Sequence, residues 1–190
     1  IQKKKNKEFV VLMIGRKLWS KGLKEFCQVA NKVRKTETGI KFVWIGETVR
    51  EDSHLDAAPK KWLEKQQDVD FLNFKDDIRE YLNSANIFFF SSWYSEGMPR
   101  VVLEAQAFCL PVIAYSIPGI NESILNNKSG YILDKIKDVD TVVNKIQYLF
   151  HNKQTCLKFG TNGRVFIEAN FDIKKVHAAY MAIYKIFKIV

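Results

Sequence analysis

Residues 86–108 read NIFFFSSWYSEGMPRVVLEAQAF, and this segment is the most informative about the fold. Its nearly unbroken apolar run predicts a strand over 86–91 that is covered on both faces of a sheet. A short polar loop follows, and Pro99 then opens a predicted helix over 99–108, because proline is favoured in the first helical turn. A strand, a short loop and a helix in succession form the repeating unit of an α/β protein.

The rest of the chain continues this alternation. Further strands are predicted at 8–14, 41–45, 69–72, 111–115 and 131–133, and helices at 59–67, 76–84, 120–126, 139–151, 154–169 and 172–189. An apolar stripe from Leu23 to Val33 predicts one more helix, which Ser20 can cap. The pattern predicts an α/β, Rossmann-like, doubly wound, six-stranded parallel sheet with helices on both faces. In the common strand order 3-2-1-4-5-6, ligands bind in the crevice beyond the carboxyl ends of strands 1 and 4.

Length and composition set the domain organisation. The 190 residues, 47% of them hydrophobic and 27% charged, are typical of one globular domain. We predict a basic tail or linker from a missing N-terminal domain at 1–7, the domain itself at 8–170, and a C-terminal helix within 171–190 that packs across it. The chain starts without a methionine or a signal sequence, and no apolar run approaches the ~20 residues that cross a bilayer. The expected location is the cytoplasm, and peripheral contact with the inner face of the membrane stays open.

A net charge of +9 raises the question of nucleic acid binding. The basic residues are spread over helix faces, and the one dense cluster is at 3–7. We therefore expect no nucleic acid partner and favour phosphorylated ligands or an anionic membrane surface. The three cysteines are far apart, which indicates reduced thiols rather than a disulfide framework or a zinc site.

Two acids and two cations meet at the predicted crevice. Glu96 lies in the loop after strand 4 and Glu104 in the following helix, whereas Arg16 and Lys21 follow strand 1. Two cations and a helix N-terminus can neutralise a diphosphate without a metal, and carboxylates accept hydrogen bonds from vicinal hydroxyls. A nucleotide-sugar offers both groups. The favoured arrangement puts Glu104 on the ribose, the cations on the diphosphate and Glu96 on the donor sugar.

Simpler interpretations remain open for these residues. Glu104 lies four residues after Arg100 and could form an ordinary helical ion pair, and Glu96 could be a solvated loop acid. Arg16 and Lys21 could be surface charges, although a cation near a helix start is unfavourable unless an anion balances it. A hydrolase would use Glu96 and Glu104 as an acid and base pair. The neighbouring cations disfavour that alternative, since an anionic leaving group needs no proton.

Two Asp-x-Asp tripeptides resemble a metal-binding motif. Asp68 and Asp70 begin a strand at the end of the sheet opposite the crevice, and Asp138 and Asp140 open a helix, where acids favour the helix dipole. We expect no metal site at either.

Residues 92–114 resemble the C-terminal, donor-binding domain of a GT-B glycosyltransferase of family 4. That family has two glutamates separated by seven residues, as Glu96 and Glu104 are here. Its Gly-Arg…Lys-Gly pattern is matched by Gly15-Arg16 and Lys21-Gly22, and the resemblance covers nearly the whole chain.

The resemblance implies a set of site residues. Arg16 and Lys21 would hold the diphosphate, Glu96 would contact the sugar, and these three would be the catalytic residues. The implied donor-binding set is Gly15, Arg16, Lys21, Leu72, Asn73, Phe74, Lys75, Glu96, Gly97, Met98, Pro99, Arg100 and Glu104. The family transfers sugars with retention of anomeric configuration and commonly without a metal, so no metal or cofactor is expected.

The implied function is transfer of a hexosyl group from a nucleoside-diphosphate sugar to a glycan or lipid-linked acceptor, in surface polysaccharide or lipopolysaccharide biosynthesis. In this family a second, N-terminal domain binds the acceptor, so we expect the chain alone to bind donor without transferring sugar. A non-catalytic nucleotide-sugar-binding or partner-recruiting module is the alternative. Asn73, Arg100 and Pro118 depart from the family pattern, which leaves the nucleotide and the sugar open.

Overall fold

The protein was analysed as a computed structural model, which describes residues 8–49, 56–95 and 97–187. The strands are β1 (Phe9–Ile14), β2 (Ile40–Ile45), β3 (Val69–Leu72), β4 (Ile87–Phe90), β5 (Val112–Tyr115) and β6 (Gly130–Leu133). They form one six-stranded sheet in the order β3-β2-β1-β4-β5-β6. Every pair of neighbouring strands is parallel. The predicted doubly wound sheet and its strand order are confirmed.

The central strands are apolar because both of their faces are covered. All four residues of β4 are buried, as are the inner residues of β1. Phe89 stacks on Phe26 of the first helix with ring centroids 5.7 Å apart, and Phe26 also meets Trp44 of β2 edge to face at 5.2 Å. Aromatic contacts of this kind add to the stabilisation from buried area. They fix the first helix over the centre of the sheet.

The described part of the chain has seven helices. They are α1 (Leu23–Thr36), α2 (Lys60–Leu63), α3 (Arg79–Ser84), α4 (Arg100–Ala107), α5 (Val139–His151), α6 (Lys153–Asn170) and α7 (Ile173–Ile186). Helix α1 packs against α5, and α4 packs against α6. The helices predicted at 59–67 and 76–84 are shorter than expected. At the second, the Asp77 carboxylate accepts the Arg79 N–H, which forms a turn before α3 begins.

Two local predictions are wrong. Ser20 does not cap α1: its N–H and hydroxyl both donate to the Asp56 carboxylate, and Gly22 is the N-cap. Residues 120–126 do not form a helix: residues 120–123 form turns, and Asn126 forms an isolated bridge to Gly130. Their polar groups are satisfied locally, because the Gly119 N–H donates to the Glu122 carboxylate and the Ser123 hydroxyl donates to the Ile120 carbonyl. Such side-chain to backbone bonds compete with a helix.

Helix α7 has no buried residue. Large apolar side chains along it are exposed, with Ile173 76%, Tyr180 56% and Ile186 76% accessible. The packing partner of this helix and the domain boundary at 170 therefore stay predictions, and the predicted basic tail at 1–7 lies outside the described residues. No helix in the described ranges has the length and apolar character to span a bilayer.

Candidate functional site

A cleft of about 880 Å³ opens at the carboxyl end of the sheet. Its walls come from the segments that follow β1, β2 and β3 and from the start of α4, which follows β4. The lining residues are Ile14, Gly15, Arg16, Ile45, Gly46, Glu47, Phe74, Lys75, Asp76, Ile78, Met98, Pro99, Arg100, Val101 and Glu104. This is the edge at which an open parallel sheet binds ligands.

Most of the predicted donor-binding residues line this one cleft. They are Gly15, Arg16, Phe74, Lys75, Met98, Pro99, Arg100 and Glu104. Four others, Lys21, Leu72, Asn73 and Gly97, are not among its lining residues. Glu96 lies outside the described residues. The roles assigned to all of these side chains remain predictions.

Sequence reasoning missed Gly46 and two acids, Glu47 and Asp76, among the residues that line the cleft. Gly46 and Glu47 follow β2, and Asp76 follows β3. The predicted strand order contained a signal for Gly46 and Glu47, since it places the end of strand 2 beside the end of strand 1. No sequence motif contains any of the three, however.

The loop after β1 is fixed by bonds to β2. The Gly15 N–H donates to the Ile45 carbonyl at 2.9 Å, and the Trp44 indole N–H donates to the Gly15 carbonyl at 2.7 Å. The next turn is held in the same way, because the Lys17 N–H donates to the Glu47 carbonyl at 2.9 Å. Arg16 lies between these fixed points with its side chain exposed. The backbone therefore holds Arg16 at the mouth of the cleft.

Lys17 is a buried cation in the loop after β1. Only 2% of its surface is accessible, and its ammonium donates to the Gly46 carbonyl at 2.7 Å and to the Thr48 hydroxyl at 3.1 Å. Burial lowers the pKa of Lys17 below its ordinary value. Its bonds hold the loop after β1 against the loop after β2. Because both loops contribute to the cleft, Lys17 fixes the distance between two of its walls.

The segment that contains Lys21 contacts the loop after β4. The Ser91 hydroxyl donates to the Lys21 carbonyl at 2.9 Å, and the Trp93 N–H donates to the Ser20 carbonyl at 3.3 Å. Gly22 has φ of +75°, and a Cβ atom at this position would lie 1.8 Å from the Ser91 carbonyl oxygen. Only glycine fits such a contact without a shift of the backbone. Direct backbone packing therefore joins the ends of β1 and β4.

Glu104 is half exposed in the first turns of α4. Its carboxylate oxygen lies 3.9 Å from Arg100 Nη2, and 42% of the Glu104 side chain is accessible. That distance exceeds a hydrogen bond of about 2.7–3.2 Å, and Arg100 itself is 91% exposed. The alternative of a helical ion pair is thus present only as a loose contact. The carboxylate keeps its capacity to accept hydrogen bonds from a ligand.

The buried side-chain amide of Gln106 fixes helix α4. Gln106 donates to the Ser123 carbonyl at 2.6 Å and accepts from the Ser129 hydroxyl at 3.1 Å. The loop before α4 is held as well: Gly119 has φ of +85°, and a Cβ there would lie 2.3 Å from the Gly97 carbonyl oxygen. The N-cap residue Pro99 makes no side-chain capping bond. Amides at this helix start are thus available to an anion.

The Asp-x-Asp residues all have protein partners. Asp68 accepts from Asn31 at 2.9 Å, and Asp70 pairs with Lys41 at 2.6 Å. Asp138 caps α5 by accepting the Thr141 N–H at 3.1 Å. Among residues 8–49, 56–95 and 97–187, no group of three or more histidines, cysteines or acids could hold a metal ion. Metal-independent binding stays a prediction.

The chain belongs to the family described as glycosyl transferases group 1, whose profile matches residues 1–166. The capsular polysaccharide biosynthesis glycosyltransferase CapM of Staphylococcus aureus is 27% identical over 182 residues, which cover 96% of this chain and 47% of CapM. The N,N'-diacetylbacillosaminyl-diphospho-undecaprenol alpha-1,3-N-acetylgalactosaminyltransferase of Campylobacter jejuni is 32% identical over 157 residues, covering 83% of this chain and 39% of that enzyme. The chain spans about half the length of these curated relatives or less.

Solved structures give the same fold. Anabaena Alr3699/HepE in complex with UDP and glucose matches with a TM-score of 0.81 at 16% identity, covering 94% of this chain and 48% of that protein. The likeness shows that the sheet and its helices have the GT-B fold. Membership of family 4 within the group stays a prediction.

Proposed function

We propose that this chain is the donor-binding domain of a retaining glycosyltransferase. It would supply the nucleoside-diphosphate sugar from which a hexosyl group passes to a glycan or lipid-linked acceptor. The observation that carries the proposal is the cleft of about 880 Å³ that exposed cations, the start of α4 and Glu104 line together. Relatives named for capsular polysaccharide and undecaprenol-linked sugar transfer support surface polysaccharide or lipopolysaccharide biosynthesis as the process.

The mixture of charges in the cleft suits a nucleotide-sugar. Three cations line it, Arg16, Lys75 and Arg100, together with three acids, Glu47, Asp76 and Glu104. A simple anion would be repelled by the acids, whereas a diphosphate with hydroxyl-rich ends can use both kinds of group. The ring of Phe74 is 66% exposed at the cleft and offers a surface on which a base can stack.

The same groups can assist the chemistry of transfer. Negative charge grows on the diphosphate as the sugar leaves, and fixed cations and helix amides stabilise that charge in the transition state. In this proposal Arg16 and Lys21 act on the diphosphate, Glu104 binds the ribose, and Glu96 contacts the donor sugar. The two cations and the helix amides neutralise the diphosphate, so the proposal invokes neither a metal ion nor a cofactor.

Titration calorimetry with Glu104→Ala tests the donor site. UDP, GDP, ADP and their common sugar conjugates are titrated into the chain in the presence of a chelator. We expect one nucleotide to bind, and Glu104→Ala to weaken it about tenfold to hundredfold, since hydrogen bonds to a charged group contribute roughly 1.5–3 kcal/mol.

Glu64→Ala is the matched control for this titration. Glu64 also pairs loosely with a cation four residues earlier, Lys60 at 4.0 Å, but it does not line the cleft. Equal losses in both variants would count against a ribose contact. Absence of binding in this chain and in the full-length gene product, at millimolar nucleotide, would refute the proposal. Sugar transfer by the full-length product separates an enzyme from a non-catalytic binding module.

A further inference from the structure

Lys137, in the turn between β6 and α5, contacts residues from two other elements. They are Trp93, in the loop between β4 and α4, and Glu25, in the first turn of α1. None of these residues lines the cleft, and none has a role in the proposed function. Trp93 nevertheless belongs to the loop that leads directly into Glu96.

Lys137 connects these elements through its ammonium group. Lys137 Nζ lies 4.1 Å from the centroid of the Trp93 ring and 4.0 Å from the Glu25 carboxylate. The first distance is well inside the range of about 6 Å for an attractive cation–π contact. Lys137 also has φ of +64°, a left-handed conformation that is uncommon for a residue with a side chain. The residue whose side chain contacts Trp93 therefore has an uncommon backbone conformation.

Hydrogen bonds do not fix the Trp93 ring. Within the described residues, its buried indole N–H has no partner, and neither has Glu25 Oε2 nor the Tyr115 hydroxyl. Burial, and then the nearby carboxylates of Glu25 and Asp138, raise the pKa of Tyr115 above its ordinary value. Because buried polar side chains are normally hydrogen-bonded, the ring orientation here depends on packing and on the ammonium above it.

The position of Trp93 bears on the proposed site. The backbone N–H of Trp93 donates to the Ser20 carbonyl at 3.3 Å, and the Ser91 hydroxyl donates to the Lys21 carbonyl, so the loop contacts the segment that contains Lys21. Three residues after Trp93 comes Glu96, the proposed contact to the donor sugar. A displaced ring would shift the chain that carries this acid, whereas Arg16 and α4 are held by separate contacts.

We propose that Lys137 is a positioning residue for the donor sugar. Its ammonium fixes the Trp93 ring and thereby the path of residues 93–95 towards Glu96. This inference rests on the proposed function, because it assigns Lys137 to the sugar end of the donor rather than to the diphosphate. Loss of the ammonium should therefore reduce the affinity for the nucleotide-sugar relative to that for the nucleoside diphosphate alone.

The test combines binding ratios with a direct view of the indole. Wild type and Lys137→Met are titrated with the nucleoside diphosphate that binds and with its sugar conjugate. We expect the ratio of the two affinities to fall about fivefold in the variant, within the range expected of one cation–π contact, while diphosphate affinity stays within about twofold. The Trp93 indole N–H resonance, assigned by its loss in Trp93→Phe, should shift in Lys137→Met.

Two controls separate positioning from a general structural effect. Lys145→Met removes a similar contact, Lys145 Nζ at 4.4 Å from the Tyr131 ring, on a part of the fold outside the cleft, and should leave the ratio unchanged. Lys137→Arg keeps a cation over the ring and should restore the ratio. An unchanged ratio in Lys137→Met would overturn the inference, whether or not the indole resonance shifts. If neither this chain nor the full-length gene product binds nucleotide, the proposed function itself fails and this inference fails with it.

Discussion

Gly22→Ala probes the backbone contact that joins the ends of β1 and β4. Gly22 has φ of +75°, and an added Cβ would lie 1.8 Å from the Ser91 carbonyl oxygen. Ordinary van der Waals contact begins at 3.4 Å, so the two segments would have to separate by about 1.6 Å. One segment carries Lys21 and the other leads to Glu96, to which the proposed function assigns the diphosphate and the donor sugar.

The size of the effect follows from comparison with Gly39. Gly39 has φ of +86° and nothing within 4 Å of an added Cβ, so Gly39→Ala carries only the conformational penalty of about 1 kcal/mol. Gly22→Ala carries a similar penalty plus overpacking of about 2 kcal/mol. For a domain of this size, about 1 kcal/mol lowers the melting temperature by about 2–4 °C. We expect Gly39→Ala to melt about 3 °C below wild type and Gly22→Ala about 9 °C below it.

Calorimetric melting of the three proteins, followed by nucleotide titration, provides the assay. Gly22→Ala should lose most of its nucleotide affinity below its melting temperature, whereas Gly39→Ala should bind as wild type does. Equal destabilisation of the two variants would refute the reasoning, because it would mean that the Ser91 contact adds nothing to the conformational penalty. If Gly22→Ala is destabilised but keeps full nucleotide affinity, the contact with Ser91 stabilises the fold without affecting the nucleotide site.

Two further predictions concern buried titratable groups. The pKa of Lys17 is lowered by burial from its ordinary 10.5, so the native state binds fewer protons than the unfolded state, and stability should rise as pH increases from the lowered value towards 10.5. Urea unfolding between pH 8 and 10 should show that rise in wild type and a smaller one in Lys17→Met; parallel curves would contradict it. Burial, and then the carboxylates of Asp68 and Glu25, raise the pKa of the Cys27 thiol to about 12. Alkylation at pH 8, followed by mass spectrometry, should modify the partly exposed Cys109 before the buried Cys27 and Cys156, and the reverse order would contradict this prediction.

The sheet could be predicted from sequence because its information is local and repeated. Apolar runs such as that of β4 specify strands buried on both faces, and alternation with helices leaves few possible topologies. The start of α1 could not be predicted in this way. Ser20 has the chemistry of a cap, but its bonds go to Asp56, a residue 36 positions away. Tertiary contact outweighed local preference there.

The candidate site was predictable where a motif marked it and not elsewhere. Arg16 and Glu104 belong to recognisable patterns, and both line the cleft. Lys17 is next to Arg16 in sequence, and lysine is usually a surface residue. Lys17 is nevertheless buried, because the Gly46 carbonyl and the Thr48 hydroxyl accept hydrogen bonds from its ammonium. Glu47 and Asp76 line the cleft from the loops after β2 and β3. The predicted strand order indicated the place of Glu47 alone, and no motif contains Lys17, Glu47 or Asp76.

The glycine contacts at Gly22 and Gly119 also bear on how donor preference could change. At both positions backbone meets backbone, so the spacing between the segments around the site does not depend on the side chains that line the cleft. Residues such as Phe74, Lys75 and Arg100 are exposed and can be exchanged without disturbing that spacing. Under the proposed function, variation at these positions would alter which nucleotide or sugar is accepted with little effect on folding. A library restricted to them would then be a practical route to new donor selectivity.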